Sequence, residues 1–566
     1  MFTAYDKLNN TFSMGAASFT CAGANFGISV KMANHTNPAH LGEWGNGATY
    51  LTTMKGASNA MNNGTLIQLV PVHHGRVIPF AVETSPYEMK YRTEYGDICC
   101  CFAEPSLLLI KGENNLGLKI EKSCGEHGVI RKRGQKGWEL TEALISCFVF
   151  YPQVGEIAMD SKWELERMST PLIRGEVLPT EDGTFEITIE ETEDLGYVRE
   201  SYPTYEEGLA AAKATWEEFY GKIAPEGGEK TADEAAAYIL WSMLEQPSGR
   251  LKRSIIHSDY THAAPTWTAC LIAAALKNDL PLALEILLGQ LDQQEPNGEI
   301  PSMFDHTNRD CLNAGLPLQG WALNKLMEAH DFKTEVPEET LKALYEGYSK
   351  WADWFLKYRD DDQDGIPQTE GSVEAGSEDS PIFKFFYIVE LPEVCAYLSL
   401  LNEKLADLAA MLGLGAEAAE WKMKAAEYVD KTLAFWNGER FLGRDHYTGA
   451  MINTESLQFY RPLVLGDRLP EQVVDIMAED LTVGNGYLVK GGLLSQRMTS
   501  IDYSKLSVNG GSILPTDNLM IIDGLMAAGQ EDLAKEAAAI FLKGVGKGFS
   551  NAETAAAYFL LKEIVK

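Results

Sequence analysis

The apolar residues of this 566-residue chain change period near residue 205, and one kind of layer cannot serve both halves. Before that point, residues 65–72 (TLIQLVPV), 106–110 (SLLLI), 142–151 (EALISCFVFY) and 184–190 (TFEITIE) are short, rich in β-formers and separated by Gly, Asn and charge. In the last of these, Phe185, Ile187 and Ile189 alternate with polar neighbours, the period of a half-buried strand. GENNLG at 112–117 reads as a hairpin joining two such runs. From Tyr205 the spacing turns helical, with Leu209, Ala212, Trp216 and Phe219 on one face, and the pattern breaks at PEGGE, 225–229. About twelve helical segments follow, beginning near residues 231, 265, 280, 316, 338, 389, 415, 455, 469, 515, 530 and 551. The sharpest carries Leu391, Val394, Leu398, Leu401, Leu405, Leu408 and Leu412, one face of a helix. No fixed-length repeat recurs, so a solenoid is excluded. The expectation is a β-sandwich over 1–203, a linker helix over 204–229, and an all-α (α/α)6 toroid barrel of six helical hairpins over 230–566.

Charge narrows the partners. Lys+Arg is 48 against Asp+Glu 81, a net −33, which repels phosphate backbones and anionic lipid. Neither nucleic acid nor a membrane is expected as a partner. The N-terminus, MFTAYDKLNNTF, has no basic stretch ahead of an apolar run, and no apolar stretch approaches the roughly 20 residues of a membrane span. Nine cysteines, an odd number, suit reduced thiols and a cytoplasmic location. Cys99, Cys100 and Cys101 read as small buried residues on a strand. Oligomeric state is not legible.

Two long loops stand out, 296–315 and 360–387, and long loops on a rigid scaffold are where function concentrates. The second holds Glu370, Glu374, Glu378 and Asp379, with Gly371, Gly376 and Pro381 arguing against a helix. Carboxylates crowded into one cavity raise one another's pKa, which suits a general acid near neutral pH. On composition alone the same residues read as a solvated acidic loop. Asp360, Asp362 and Asp364 match half of a calcium loop, but Gly371 stands where the closing glutamate belongs. Turns held by Asx hydrogen bonds are the alternative to calcium there, and no cofactor is expected. Trp267, Phe304, Trp321, Phe386, Tyr387, Phe459 and Tyr460 lie in loops or near helix ends, where aromatic platforms for sugar rings would be, although each also suits the core. No G-x-S-x-G, H-E-x-x-H or Walker A sequence occurs. His73 and His74 fall in a strand, so their rings should point to opposite faces.

The order of motifs resembles the (α/α)6-barrel glycoside hydrolases of family 63, the family 37 trehalases and the glycogen-debranching-type glucosidases, over residues 230–566. Ser248-Gly-Arg-Leu-Lys252 followed by Pro265-Thr-Trp267 is similar to their "SG-LKR … W-WD" opening. Gln293 to Pro301 resembles "NQQPDG-IP", and Pro317-Leu-Gln319-Gly-Trp321-Ala resembles "PP-LAWA". Arg359 through Pro381 resembles "RDxDGDGLxE…ESGxDxSP", which implies Glu378 as general acid with Asp379 beside it. Ser495 to Tyr503 resembles a loop ending "D-x-Y", and Pro515-Thr-Asp517-Asn518 resembles "WPPMN". The resemblance implies a substrate site drawing on Trp267, Phe304, Asp305, His306, Gln319, Trp321, Glu370, Glu374, Asp502, Tyr503, Asp517 and Asn518.

The departures are specific. Thr268 replaces the aspartate of "WD", and Asn509 to Pro515 lacks the tryptophans and arginine of "WRGPVWP". The segment that carries the family's general base shrinks to Lys547 through Glu553, leaving Glu553 as its only carboxylate. The resulting expectation is an inverting exo-glycosidase acting on a small, α-linked oligosaccharide or glycoside, with no metal. An inverting disaccharide phosphorylase and a non-catalytic sugar-binding protein are the alternatives.

Overall fold

The structure, a computed structural model, describes residues 10–30, 49–53, 65–123, 128–142, 146–193, 199–224, 230–257, 264–306, 308–546, 548–549 and 551–566. The chain divides into two compact units, one of Met1–Ala263 with Asp305–Asn308, the other of Ala264–Phe304 with Arg309–Lys566. The PEGGE break at 225–229 lies outside the described residues. No helix among the described residues is long and apolar enough to cross a membrane.

Among the described residues, the first unit holds two large antiparallel sheets. One runs in the order Phe26–Ser29, Thr49–Thr53, Thr65–His73, Leu116–Ser123, Leu172–Leu178, Glu156–Ser161. The other has eight strands, from Val129–Arg133 at one edge, through Phe185–Thr192 and Leu107–Gly112, to Ala81–Thr84 at the other. Aromatic side chains join their inner faces, Phe26 meeting Phe102 at 5.1 Å and Phe148 at 5.4 Å between ring centroids. Cys100 and Cys101 are buried on the strand Gly96–Glu104, as their neighbours imply, whereas Cys99 beside them is only half-buried. The helix Tyr205–Ile223 opens with a capping box at Thr204 and Glu207 and packs Tyr205 on Cys101, Leu107 and Leu109.

Two local expectations fail here. GENNLG does not close a hairpin, because Leu107–Gly112 and Leu116–Ser123 belong to different sheets. Asn114 and Asn115 do take left-handed φ of 59° and 58°, but the turn passes the chain across the sandwich. A turn signal specifies reversal and not the partner of the strand that follows. His73 ends its strand and His74, at φ 48°, is already turning, so their rings meet at 4.3 Å instead of facing apart.

The second unit is helical. Six segments contact one another in a closed ring: Thr266–Ala275, Gln319–Ala329, Pro392–Met411, Leu457–Arg468, Pro515–Ala527 and Ala552–Val565. This is the inner layer of an (α/α)6 toroid, and Thr266–Ala275 and Pro392–Met411 within it are buried nearly all round. Glu338–Tyr358, Gly415–Leu433 and Glu531–Val545 each bury one face only, as an outer layer does. The inner helices approach closely where glycine permits. A Cβ on Gly320 would stand 2.3 Å from the Leu401 nitrogen, and one on Gly524 would stand 2.3 Å from the Leu463 carbonyl oxygen. The helix expected near 455 is instead a run of 3-10 turns over Leu457–Arg468. Pro462 removes a backbone donor inside it, and Gly466 breaks it at φ 58°.

Candidate active site

The first turns of the inner helices and the loops leading into them enclose a cavity of about 390 Å³. Trp267 enters from the start of Thr266–Ala275, Asp517 from the start of Pro515–Ala527, and Glu553 from the start of Ala552–Val565. Asn551 caps that last helix by accepting the Thr554 N–H at 2.9 Å, which sets where Glu553 projects. Glu378 and Asp379 arrive from the turns that follow the short strand Gln368–Glu370. A second, more open cavity of about 750 Å³ also has Glu378 and Asp379 in its wall, together with Asp502 and Tyr503.

The carboxylates differ in their surroundings. Asp379 accepts the Asn509 N–H at 2.7 Å and its side-chain amide at 2.9 Å, the Ser507 hydroxyl at 2.8 Å and the Val508 N–H at 2.7 Å. Partial desolvation pushes this carboxyl up, but the Asn509, Ser507 and Val508 donors outweigh it and bring it down to about 2. Asp379 is therefore a fixed anion that pins the 507–509 loop to the 378–380 turn. Glu378 beside it is exposed. In the same cavity wall, the Thr268 hydroxyl donates to Glu553 Oε1 at 2.5 Å. The threonine that replaces the expected aspartate thus serves Glu553.

The cavity floor is a buried ion pair. Arg461 Nε lies 2.8 Å from Asp517 Oδ1, and a second nitrogen lies 3.7 Å from Glu393 Oε1. The remaining guanidinium hydrogens reach the Ala375 carbonyl and the Ser377 hydroxyl at 3.4 Å. Burial opposes the charge on Arg461, but its carboxylate neighbours keep it protonated. Burial also pushes the Glu393 carboxyl up, against the pull of Arg461 and Gln458. Arg461 ties three elements together: the 375–377 turn, the helix Pro392–Met411 and the start of Pro515–Ala527.

Other candidate residues stand elsewhere. Glu374 is buried, held by Arg359 Nε at 2.9 Å and the Glu370 N–H at 2.6 Å, and burial raises its carboxyl. Glu370 stands 3.8 Å from the same Arg359. Gln319 bonds to Gln290 and Trp351, and Trp321 donates to Asp523, all within the helical core. Phe304, Phe459 and Tyr460 are buried too. Asn518 holds both the N–H and the carbonyl of Leu493. Asp305 and His306 fall in the first unit, where Asp305 closes a turn with Asn308 and His306 bonds Glu245 and Ser248.

The carboxylates of Asp360, Asp362 and Asp364 come within 4.8 Å of one another, as do those of Asp362 and Glu390 with His446. Asp360 accepts the Gly365 N–H and Asp364 the Ile366 N–H, the expected turn bonds. Arg444 pairs with both Asp364 and Glu390, and Lys431 donates to the Gly365 carbonyl. These side chains supply the positive charge a metal would bring, so the donor set does not call for one.

Sequence reasoning overlooked Arg461, Glu393 and the 507–509 anchor. The signal for the first was present, an arginine inside the apolar run LQFYRPLVL. Nothing local marks Ser507 to Asn509, because their function depends on a carboxylate far away in the chain.

Residues 266–555, just over half of the chain, match the family described as mannosylglycerate hydrolase MGH1-like glycoside hydrolase domain. Among solved structures, a bacterial glucoamylase complexed with acarbose is similar in fold, with a TM-score of 0.61 at 12% identity over 98% of this chain and 94% of that one. A GH63 mannosylglycerate hydrolase from Thermus thermophilus, in complex with Tris and D-glycerate, gives 0.48 at 17% identity over 58% of this chain and 99% of that one. The same enzyme in complex with glucose gives 0.45 at 18% identity, over 53% and 93%. No curated protein matches the chain.

Proposed function

Because this chain belongs to the mannosylglycerate hydrolase MGH1-like family of glycoside hydrolases, we propose that it is an inverting, exo-acting glycosidase with Glu378 as general acid and Glu553 as general base. Glu378 gives its proton to the glycosidic oxygen as the bond from that oxygen to the anomeric carbon breaks. Glu553 takes a proton from the water whose oxygen joins that carbon from the opposite face, so the released sugar has the inverted anomer. Glu378 ends ionised and Glu553 protonated, and solvent restores both. Trp267 offers a ring face for the sugar.

The observation that carries this reading is that Glu378 and Glu553, distant in sequence, line one cavity with Trp267. Asp379 cannot share the acid's part, because its carboxyl is held ionised with both oxygens engaged. Glu553 receives the Thr268 hydroxyl and stands in the first turn of a helix, an arrangement that suits a carboxylate acting as base. The substrate class is a small α-linked glycoside, cleaved at its terminal sugar. A phosphorylase would need a cation set for phosphate. The one arginine in this cavity wall is already paired with Asp517 and Glu393, and no lysine or histidine accompanies it among the described lining residues.

The test is sugar release from α-linked disaccharides and aryl α-glycosides, with and without phosphate, the anomer being read by NMR before mutarotation. Release should be independent of phosphate and yield the inverted anomer. Glu378→Gln and Glu553→Gln should each lose about 10² to 10⁴ in turnover. Near-full turnover by Glu378→Gln ends the assignment of the acid, and a sugar phosphate product would replace hydrolysis with phosphorolysis.

A further inference from the structure

A general acid stands between the sugar that is attacked and the group that leaves, because its proton goes to the oxygen joining them. Glu378 and Asp379 are the two residues common to the walls of the inner and outer cavities. Glu553, on the water's side of the reaction, lines the inner one. We infer that the outer cavity receives the leaving-group side of the substrate, and that this side presents an apolar ring face, from either a further sugar ring or an aryl group. The inference rests on the assignment of Glu378 as general acid.

The chemistry of the outer wall supports a ring. Phe385 is 80% exposed, Tyr387 71% and Ile501 98%, and Phe383, Phe386 and Tyr503 line the same cavity, beside serines and charged side chains. Large apolar side chains clustered in one open cavity mark a binding surface more often than scattered ones do. Tyr387 is also held in place. Gly371, at φ +88°, packs against its ring so closely that a Cβ there would stand 2.8 Å from Tyr387 Cε2. The Gly371 N–H also donates to the Tyr387 carbonyl at 2.8 Å. The tyrosine is therefore braced on the Gly371 backbone while its ring stays largely exposed in the cavity, which lowers the ordering cost of stacking a ligand on it.

Charge argues against an anionic leaving group. Lys384 Nζ is 3.1 Å from Asp502 Oδ1 and sits 5.5 Å from the Phe385 ring centroid, and Asp379 is held by the 507–509 loop. The lysine is therefore already paired within the wall.

The experiment compares kcat/KM across α-glycosides of one sugar that differ only in leaving group: methyl, a short carboxylated alkyl, phenyl and a second hexose. The enzymes are wild type, Tyr387→Ala, Tyr387→Phe and Phe385→Ala. Tyr387→Ala should lose about 2- to 12-fold more on at least one ring-bearing substrate than on the methyl glycoside, the range that an aromatic contact is worth. Tyr387→Phe should restore that selectivity, and Phe385→Ala should shift it in the same direction. Selective loss on phenyl identifies an aryl group, and selective loss on the disaccharide identifies a sugar ring. Equal losses on all four substrates, no loss on either ring, or a wild-type preference for the carboxylated group would overturn the inference while leaving the hydrolase intact. Retained turnover of the methyl glycoside by Glu378→Gln, or no release from any substrate by wild type, would instead overturn the catalytic reading and this inference with it.

Discussion

Arg461→Met is the substitution that best probes how the cavity floor is held. Methionine fills much of the aliphatic volume but leaves Asp517 and Glu393, 2% and 0% exposed, without their cation. It also removes the two weaker contacts to the 375–377 turn at 3.4 Å. Removing one partner of a buried pair costs about 3–5 kcal/mol, because an uncompensated charge stays behind. The helical unit has about 300 residues, and at about 2.1 cal/mol/K per residue its unfolding entropy is about 0.6 kcal/mol/K. The penalty then lowers Tm by about 5–8 °C. The sign of the pH dependence follows from Glu393, whose carboxyl burial already pushes up and Arg461 pulls back. Without Arg461 the folded state binds that proton more readily than the unfolded chain does, so stability falls as pH rises, and the variant should be less impaired at pH 5 than at pH 8. Adding Asp517→Asn should recover part of the loss. Calorimetry at the two pH values, on single and double variants, reads all three effects. A Tm within 2 °C of wild type at pH 8, or a larger deficit at pH 5, would refute the account of the floor.

Other substitutions test separate contacts. Thr268→Val removes the donor that orients Glu553, and since misplacing a catalytic group costs up to about 10²-fold, kcat should fall with KM near wild type. An unchanged kcat would remove Thr268 from the mechanism. Asp379 has a folded pKa of about 2 against about 3.9 unfolded. The anchoring it gives is therefore complete above about pH 4 and fades as pH falls toward 2. Hydrogen exchange of residues 507–509 should quicken over that window beyond the intrinsic rate in wild type and not in Asp379→Asn. Gly320→Ala drives a Cβ into the backbone of Leu400 and Leu401, which costs about 1–3 kcal/mol and should lower Tm by about 2–5 °C. Gly221→Ala is the contrast: exposed on the helix Tyr205–Ile223 with nothing near its Cβ site, it should gain about 0.5–1 kcal/mol, and a loss there would refute the reading of that helix.

Much of the barrel is legible because inner and outer helices have different sequence textures. The stripe from Leu391 to Leu408 and the small, apolar run TWTACLIAAA need cover on nearly all sides, whereas EETLKALYEGYSKWADWFLKY asks for cover on one. The site is less legible because its carboxylates look alike in one dimension. Glu370, Glu374, Glu378 and Asp379 form one acidic loop in the sequence, yet Arg359 secures the first two while the 507–509 loop fixes the last.

What the sequence determined by itself is periodic or local: the change of architecture near residue 205, the starts of the helices, the Asx turns at 360–366 and the cap at Asn551. These depend on neighbours within a turn or two, so the residue order carries them. Tertiary structure decided which strand lies beside which after GENNLG, that Thr268 reaches Glu553, that Arg461 holds Asp517 and Glu393, and that Asp379 stays an anion. Each of those outcomes depends on a partner supplied by a distant segment. A carboxyl's charge and reach follow from the donors and the burial around it, and only the folded chain brings them together.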